Sequence, residues 1–182
     1  NRALAKHGFV FPPDPASSSV STIGGNVATN AGGIKGAKYG TTRDYVLGLQ
    51  VVLPTGEIVK TGSGWSSVAK RFSRYATFND LTGLFLGDQG TLGVKTEATL
   101  KIYPLPKGTA YADYGFTKLG DCVAAFHEIQ KMGIAEEINM LGDKASIGIL
   151  AEDYLDSFPD IECVYAVAIE EVDSVIAERK KT

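Results

Sequence analysis

The sequence predicts an α+β fold divided into two units, and three observations support this prediction. Apolar and polar residues alternate over 94–102, which is the pattern of a half-buried strand. Asp80 is a good N-cap for a short helix that follows it. The segment 104–108, which contains two prolines and a glycine, marks a boundary because the glycine-dense composition of the first part ends there. The chain has 182 residues, 44% of them hydrophobic, so it can bury one core and begin a second.

The first unit is predicted to contain short elements joined by tight turns. Good helix formers up to Lys6 are followed by a glycine where helices end, and this opening looks like a helix entered midway in a longer chain. Residues 47–53 are almost all apolar, and a Pro-Thr-Gly turn separates them from residues 57–60, which predicts a β-hairpin. In the helix after Asp80, one face carries Leu81, Leu84 and Phe85, and Gly87 can end the helix.

The second unit is predicted to follow the order β-α-β-α-β-α. A strand over 111–116 leads to a helix that Asp121 would cap and Gly133 would end. Strands are expected over 137–141 and 164–169. Helix-prone residues reach Tyr154, and a last helix begins at Asp173.

The composition argues against several classes of function. Charged residues make up 21% and the net charge is -3, without a long run of either sign, so a nucleic-acid partner is not expected. The two cysteines, Cys122 and Cys163, show no metal-ligand spacing and are expected to be buried free thiols, and no metal site is predicted. No apolar run approaches the roughly 20 residues of a membrane helix, and the N-terminus lacks a signal-peptide pattern. We therefore expect a soluble, cytoplasmic protein without a membrane span.

The strongest candidate for chemistry is the glycine-rich segment from Thr22 to Gly33. Such a density of glycine costs conformational entropy, so it indicates tight turns or a backbone that a ligand approaches closely. The diphosphate of a dinucleotide is such a ligand because it takes several backbone N–H donors at once. A glycine-rich surface loop is the competing interpretation. A second cluster over 87–93 is weaker evidence of the same kind.

Two familiar nucleotide sites are not indicated. The segment lacks Gly-x-Gly-x-x-Gly between a strand and a helix, which argues against a Rossmann site. No Gly-Lys-Ser/Thr sequence exists for a P-loop. Any nucleotide must be held in another way.

Several motifs occur together and in one order along the chain. They are Pro12-Pro13-Asp14-Pro15, Thr22-Ile23-Gly24-Gly25-Asn26, Asn30-Ala31-Gly32-Gly33, Lys38-Tyr39-Gly40, Val46-Leu47-Gly48-Leu49, Leu53-Pro54-Thr55-Gly56-Glu57, Asp80-Leu81-Thr82-Gly83-Leu84-Phe85 and Gly90-Thr91-Leu92-Gly93-Val94. Together they resemble the FAD-linked oxidase family, whose FAD domain is of the vanillyl-alcohol-oxidase type, and in particular its branch of glycolate oxidase FAD subunits and D-lactate dehydrogenases.

The resemblance implies the cofactor FAD, bound between two α+β subdomains. Residues 1–107 would form the second subdomain, and residues 108–182 would begin the substrate-binding cap domain. By motif position, the cofactor-binding residues would be Pro13, Asp14, Thr22, Gly24, Gly25, Asn26, Asn30, Gly32, Gly33, Tyr39, Gly90, Gly93 and Val94. Val94 would act through its backbone, and Tyr39 is about equally well explained as a core tyrosine.

The sequence also departs from the family pattern. Asp88 and Gln89 stand where the family has Ser and Glu, and Lys95 occupies a position that is commonly apolar. The glycine-rich diphosphate loop of the other subdomain and the histidine-rich motifs of the family do not occur in these residues.

The function implied by the resemblance is FAD-dependent oxidation of a 2-hydroxy acid of the glycolate or D-lactate type, by hydride transfer to the flavin. The catalytic base is unassigned, because His7 and His127 are more simply structural or solvated. Arg43 is a candidate cation for a carboxylate or for reduced flavin, although a plain surface pair with Asp44 competes, and Arg71 and Arg74 are similarly ambiguous.

Expected partners are a small hydroxy-acid substrate and an electron-acceptor subunit. Two alternatives stay open. One is an FAD-dependent oxidase of a sugar or aryl alcohol, and the other is a non-catalytic, truncated flavin-domain fragment, whose isolated chain would retain FAD weakly or not at all.

Overall fold

The computed structural model of the chain describes residues 1–66, 68–70, 72–75, 79–133, 135, 137–142, 144–150 and 160–171. The chain divides into two compact units, Asn1–Leu105 and Pro106–Thr182. The helices are α1 (Arg2–Ala5), α2 (Ile23–Thr29), α3 (Gly36–Tyr39), α4 (Leu81–Leu84), α5 (Leu119–Met132) and α6 (Lys144–Leu150). The strands are β1 (Phe9–Val10), β2 (Val46–Val52), β3 (Ile58–Lys60), β4 (Val94–Leu100), β5 (Tyr103–Pro104), β6 (Gly108–Phe116), β7 (Glu137–Leu141) and β8 (Cys163–Glu171).

The first unit is built around an antiparallel sheet in the order β3-β2-β4. The predicted hairpin is confirmed, since β2 pairs with β3 in antiparallel register. The central strand β2 is mostly buried, as its nearly continuous apolar sequence requires. Its core side chains pack with one residue of α2 and two that follow α4, and the cluster is Val27, Val46, Leu49, Val51, Phe85 and Leu86.

The predicted alternation of β4 is wrong at the start of the strand. Val94 is 66% exposed, whereas the Lys95 side chain is only 4% exposed. The cause is a register shift, because Val51 pairs with Lys95 while the preceding Gln50 pairs with Glu97, which leaves one extra residue on β4. Thr96 is also exposed and Thr99 is half-buried, so a strict alternation is not observed, although Ala98 and Leu100 pack on the core as expected.

The structure confirms the predicted N-cap of the helix after Asp80. The predicted length of this helix and its predicted apolar face are wrong. The Asp80 carboxylate accepts a hydrogen bond from Gly83 N, as expected of an N-cap. The helix has four residues and ends at Leu84, and both of its leucines are about half exposed. The buried residue is Thr82, whose hydroxyl donates to Thr61 Oγ1 inside the unit. This polar pair turns the helix so that its leucines face outward.

The glycine-rich segment contains a helix rather than a continuous loop. Thr22 caps α2 by accepting a hydrogen bond from Gly25 N, and Asn30 ends the helix in the left-handed conformation with φ 49°. Val27 is fully buried in the core. Burial of that one side chain and a cap at each end outweigh the poor helix propensity of Gly24 and Gly25.

The second unit is an antiparallel sheet in the order β6-β8-β7 with α5 packed on it. The predicted strands are confirmed, and Gly133 ends α5 in the left-handed conformation. Asp121 is not the N-cap, because the helix begins at Leu119, and Asp121 instead lies in the first turn, where it favours the helix dipole. The predicted extension of α6 to Tyr154 and the helix from Asp173 lie outside the described residues.

The prediction of free thiols is wrong. Cys122 on α5 and Cys163 on β8 form a disulfide bond, and both residues are fully buried. The packing of α5 on the sheet brings together two residues that are 41 positions apart, a contact that sequence spacing does not reveal.

Two features are absent from the described residues. In this part of the chain, no helix is long and apolar enough to cross a membrane. No group of three or more His, Cys, Asp or Glu residues is arranged there to hold a metal ion.

Candidate cofactor site

The first unit has a cavity of about 400 Å³ beside the start of α2. Pro13 and Asn26, two of the predicted cofactor-binding residues, line it. Ile23, at the first position of α2, lies between them on the cavity wall, and Phe11 and Leu100 add apolar surface. A mainly apolar wall with a few polar groups is typical of cofactor sites.

Asn26 is the polar side chain that best fits a ligand in this cavity. The residue as a whole is 8% exposed, and it lines the cavity. Within the described part of the chain, that side chain forms no hydrogen bond, although a buried amide normally finds a partner. A bound group that offers both a donor and an acceptor would satisfy it.

Gly24 and Gly25 differ in the space that the fold leaves beside them. A Cβ on Gly24 would meet only Lys95 O at 3.5 Å, which is an ordinary contact, so the fold does not exclude a larger residue there. A Cβ on Gly25 would lie 3.2 Å from the capping hydroxyl of Thr22, a tighter contact that would disturb the cap. Within the described residues, the N–H groups of Ile23 and Gly24 have no hydrogen-bond partner. The start of α2 therefore offers N–H donors that no described residue binds. They lie beside Gly24, where the packing of the fold does not require a glycine.

Other glycines predicted at the site are explained by the fold itself. A Cβ on Gly33 would collide with Asp14, and a Cβ on Gly93 would collide with β2. Asp14 Oδ1 accepts a hydrogen bond from Lys35 N at 3.3 Å, so this carboxylate already organises its own turn. Gly32 has room for a Cβ, which would meet a Thr41 methyl group at 3.6 Å.

Asn30 has its partners inside the chain. Its side-chain oxygen accepts hydrogen bonds from Thr41 Oγ1 at 3.0 Å and from Arg43 N at 2.9 Å. The Arg43 guanidinium is also engaged, because Nη2 donates to Leu86 O at 2.9 Å. Both residues join α2 to the neighbouring 3₁₀ turn Thr42–Asp44 and to the segment after α4.

Tyr39 belongs to an aromatic cluster. Its ring centroid lies 6.0 Å from that of Tyr103 in an edge-on contact, and its carbonyl accepts a hydrogen bond from Tyr45 Oη at 2.7 Å. Burial raises the pKa of Tyr45 to about 12, with further contributions from Tyr103 and Asp44. Tyr45 is therefore a neutral donor over the physiological pH range. These contacts give Tyr39 a packing role whether or not it also contacts a cofactor.

The segment 87–93 uses most of its described amides internally. Gly87 N donates to Val27 O at 3.0 Å and Gln89 N donates to Ala28 O at 2.8 Å, so the segment is bonded to α2. Asp88 accepts the N–H groups of Gly90 and Leu92. The N–H of Gly90 is thus directed at Asp88, and a contact of Gly90 with a cofactor would involve other atoms.

Both histidines are exposed on the surface of their own units. His7 is exposed after α1, and His127 is exposed on α5, in edge-on contact with Phe126. Sequence reasoning missed the cavity-lining residues Phe11 and Ile23 and the partnership of Asp88 with Lys95. The latter had a signal, because two charges of opposite sign appear at two departures from the family pattern.

The known proteins that are similar to this chain agree with one another in kind. Residues 1–62 match the model of the FAD binding domain. The chain is 50% identical over 119 residues to a D-lactate dehydrogenase of Anaerostipes hadrus, which covers 65% of this chain and 23% of the relative. It is 51% identical over 106 residues to the glycolate oxidase subunit GlcD of Bacillus subtilis, covering 58% of this chain and 21% of the relative. It is 34% identical over 170 residues to a D-2-hydroxyglutarate dehydrogenase of Xanthomonas citri, covering 92% of this chain and 34% of the relative.

Solved structures show the same fold. An alkyldihydroxyacetonephosphate synthase matches with a TM-score of 0.73 at 24% identity, over 99% of this chain and 34% of its own length. A p-cresol methylhydroxylase matches with a TM-score of 0.72 at 14% identity, over 98% of this chain and 38% of its own length. The chain spans about a fifth to a third of the curated relatives described above. The predicted α+β fold, the predicted cofactor, FAD, and the resemblance to FAD-linked oxidoreductases are confirmed.

Proposed function

We propose that this chain supplies one wall of the FAD site of an enzyme that oxidises a 2-hydroxy acid of the glycolate or D-lactate type. Three relatives that are 34% to 51% identical carry names of hydroxy-acid oxidoreductases. In this proposal residues 1–107 are the second subdomain of the FAD domain, and residues 108–182 begin a substrate-binding cap domain.

The observation that carries the proposal is the start of α2. Gly24 is a helical glycine that internal packing does not require, and two adjacent N–H groups are free. A glycine inside a helix costs about 1 kcal/mol relative to alanine, and a role outside the fold would compensate for that cost. Close approach of a ligand to the main chain is such a role. The cavity and the unsatisfied amide of Asn26 lie at the same end of the helix.

The residues of this chain would hold and orient the cofactor. The N–H groups of Ile23 and Gly24 would donate to an anionic or carbonyl oxygen, and the Asn26 amide would bind a polar edge. Pro13 and Phe11 would provide apolar surface that excludes water from the cavity. When bound, FAD accepts a hydride from the carbon that bears the substrate hydroxyl group.

The catalytic base and the group that binds the substrate carboxylate are not assigned to this chain. Both histidines are exposed, and the Arg43 guanidinium is held by a main-chain carbonyl. An electron-acceptor subunit stays part of the proposal, because the flavin must be reoxidised after each turnover.

The test is reconstitution of the intact protein with FAD, followed by anaerobic addition of substrate. We expect a flavin absorbance spectrum at stoichiometric occupancy, bleached by D-lactate, glycolate or D-2-hydroxyglutarate and unaffected by glucose or benzyl alcohol. Bleaching by a sugar or an aryl alcohol alone would assign the protein to the alternative class of alcohol oxidases. Absence of a flavin spectrum after reconstitution would favour a non-catalytic fragment and sink the proposal.

A further inference from the structure

Asp88 and Lys95 form a buried ion pair directly behind α2. Lys95 Nζ contacts Asp88 Oδ1, and the side chains are 4% and 3% exposed respectively. Among the ion pairs that the structure describes, the one between Arg74 and Asp80 is more exposed and the one between Lys131 and Glu128 lies on the surface. Asp88 and Lys95 are also two of the positions at which this chain departs from the family pattern.

The pair holds three main-chain groups in place. Asp88 Oδ1 accepts the N–H of Gly90 at 3.0 Å, and Oδ2 accepts the N–H of Leu92 at 3.2 Å. Lys95 Nζ also donates to Gly93 O at 3.1 Å. Within residues 87–95, which we call the tether loop, one ion pair therefore fixes an N–H, a second N–H and a carbonyl.

The tether loop contains one residue other than glycine in the left-handed conformation. Gln89 has φ 55°, a left-handed conformation that is unfavourable for a residue other than glycine. Gly90 has φ 81° and Gly93 has φ 149°. The two glycines adopt these angles at little cost, so the strain lies at Gln89, and the bonds from Asp88 and Lys95 hold the main chain on either side of it.

The tether loop is in turn joined to the helix that carries the proposed cofactor contacts. Gly87 and Gln89 donate their N–H groups to the carbonyls of Val27 and Ala28 on α2. At the other end of the helix, Lys95 O is the atom that a Cβ on Gly24 would meet. The tether loop therefore lies against both halves of α2.

Stability alone is a weak reason for such a pair. The cost of removing two charges from water largely cancels their attraction, so buried ion pairs often add little net stability. Burial acts to raise the pKa of Asp88, but the hydrogen bonds from Lys95, Gly90 and Leu92 outweigh it and hold the pKa below its usual range. The carboxylate is thus charged at neutral pH and accepts all three bonds.

We infer that the Asp88–Lys95 pair is a positioning device, which fixes the tether loop against α2 so that the loop and the start of α2 present their main chain to FAD in one geometry. This inference rests on the proposal that the first unit binds FAD. Neither side chain contacts the cofactor in it, and the pair acts through Gly90, Leu92 and Gly93.

The experiment compares Asp88→Asn, Lys95→Met and the double variant in the intact protein. The measurements are the melting temperature, the Kd for FAD at a temperature where every variant is folded by circular dichroism, and amide hydrogen exchange of residues 87–95 in the apoprotein. Each single variant leaves one buried charge without its partner, so both should melt earlier. The double variant removes both charges and should melt close to the native protein.

The double variant discriminates positioning from simple stabilisation. It still lacks the bond to Gly93 O and half of the acceptors of Asp88, so its tether loop should exchange faster. Its Kd for FAD should stay raised about tenfold, which is the size of effect typical of coupled neighbouring groups. Thr82→Val is the matched control, because it removes a buried hydroxyl bond elsewhere in the same unit, and it should lower the melting temperature while leaving the Kd unchanged.

The outcomes separate this inference from the proposed function. If FAD affinity and loop protection return to native values in the double variant, the pair is only a stabilising element and the inference is overturned. If the native protein binds no FAD, the proposed function fails and the positioning role fails with it. Native binding with an unchanged Kd in all three variants overturns the positioning role alone.

Discussion

Replacing Gly24 by alanine should stabilise the apoprotein and weaken its binding of FAD. The added Cβ would meet only Lys95 O, at the ordinary distance of 3.5 Å, so no collision opposes it. Glycine to alanine at a compatible position stabilises by about 0.4–1 kcal/mol, because the unfolded chain loses freedom. The same methyl group would lie beside the free N–H groups at the start of α2, where close approach by the cofactor requires space.

Two other glycines provide controls. Gly36 begins α3, and a Cβ there would meet nothing within 4 Å, so Gly36→Ala should stabilise without changing FAD affinity. Gly33→Ala should lower the free energy of unfolding whatever the cofactor does, because its Cβ would collide with Asp14. Chemical denaturation of each apoprotein gives the free energy of unfolding, and titration with FAD gives the Kd.

The result that would refute this reasoning is specific. If Gly24→Ala binds FAD as tightly as the native protein, the missing side chain serves no ligand and the main argument for the site fails. If it instead loses stability to the same extent as Gly33→Ala, the helix has a packing requirement that its described contacts do not contain.

Three further predictions concern the residues around the site and the second unit. Arg43→Met should lower the free energy of unfolding by about 1 kcal/mol, because one hydrogen bond is lost, and should leave the KM for substrate unchanged. A KM raised more than tenfold at equal stability would instead indicate that Arg43 binds a carboxylate or stabilises the reduced flavin. The hydrogen bond from Arg74 holds the pKa of Asp80 below its usual range; burial opposes this shift and a main-chain bond from Gly83 assists it. The charged Asp80 therefore stabilises the fold above about pH 4, and this stabilisation is lost as the pH falls through the lowered pKa. Asp80→Asn should therefore flatten acid denaturation followed by circular dichroism, and an unchanged acid limb would contradict this. Cys122→Ser should lower the free energy of unfolding by about 4 kcal/mol, the loop-closure value for 41 residues. When the unsubstituted protein is denatured without a reducing agent, thiol titration should find Cys122 blocked, and a free thiol would exclude the disulfide.

Local patterns in the sequence predicted the sheet of the first unit well. The β2–β3 hairpin follows from an apolar run and a Pro-Thr-Gly turn, and both signals act over a few neighbouring residues. The end of α5 at Gly133 has the same local origin, because glycine adopts the left-handed conformation at little cost. The disulfide could not be predicted in this way, since it depends on how α5 packs on β8.

The helix α2 was missed although both of its caps were visible. Thr22 and Asn30 are good capping residues, but the two glycines after Thr22 lower the intrinsic helix propensity of the segment. Burial of Val27 between β2 and the residues after α4 decides the conformation, and that contact is not local in sequence. Helix propensity therefore correctly indicates that this helix is costly, but it wrongly predicts that no helix forms.

The same distinction applies to the glycines that first indicated a nucleotide site. In the sequence, Gly24 and Gly33 are equivalent members of one dense segment, and both were assigned to the cofactor. In the structure they separate, because Asp14 occupies the space beside Gly33 whereas the space beside Gly24 is open. A glycine that the fold itself requires says nothing about a ligand. The case for FAD contacts in this segment therefore depends on Gly24, the free donors beside it and Asn26, and much less on the number of glycines.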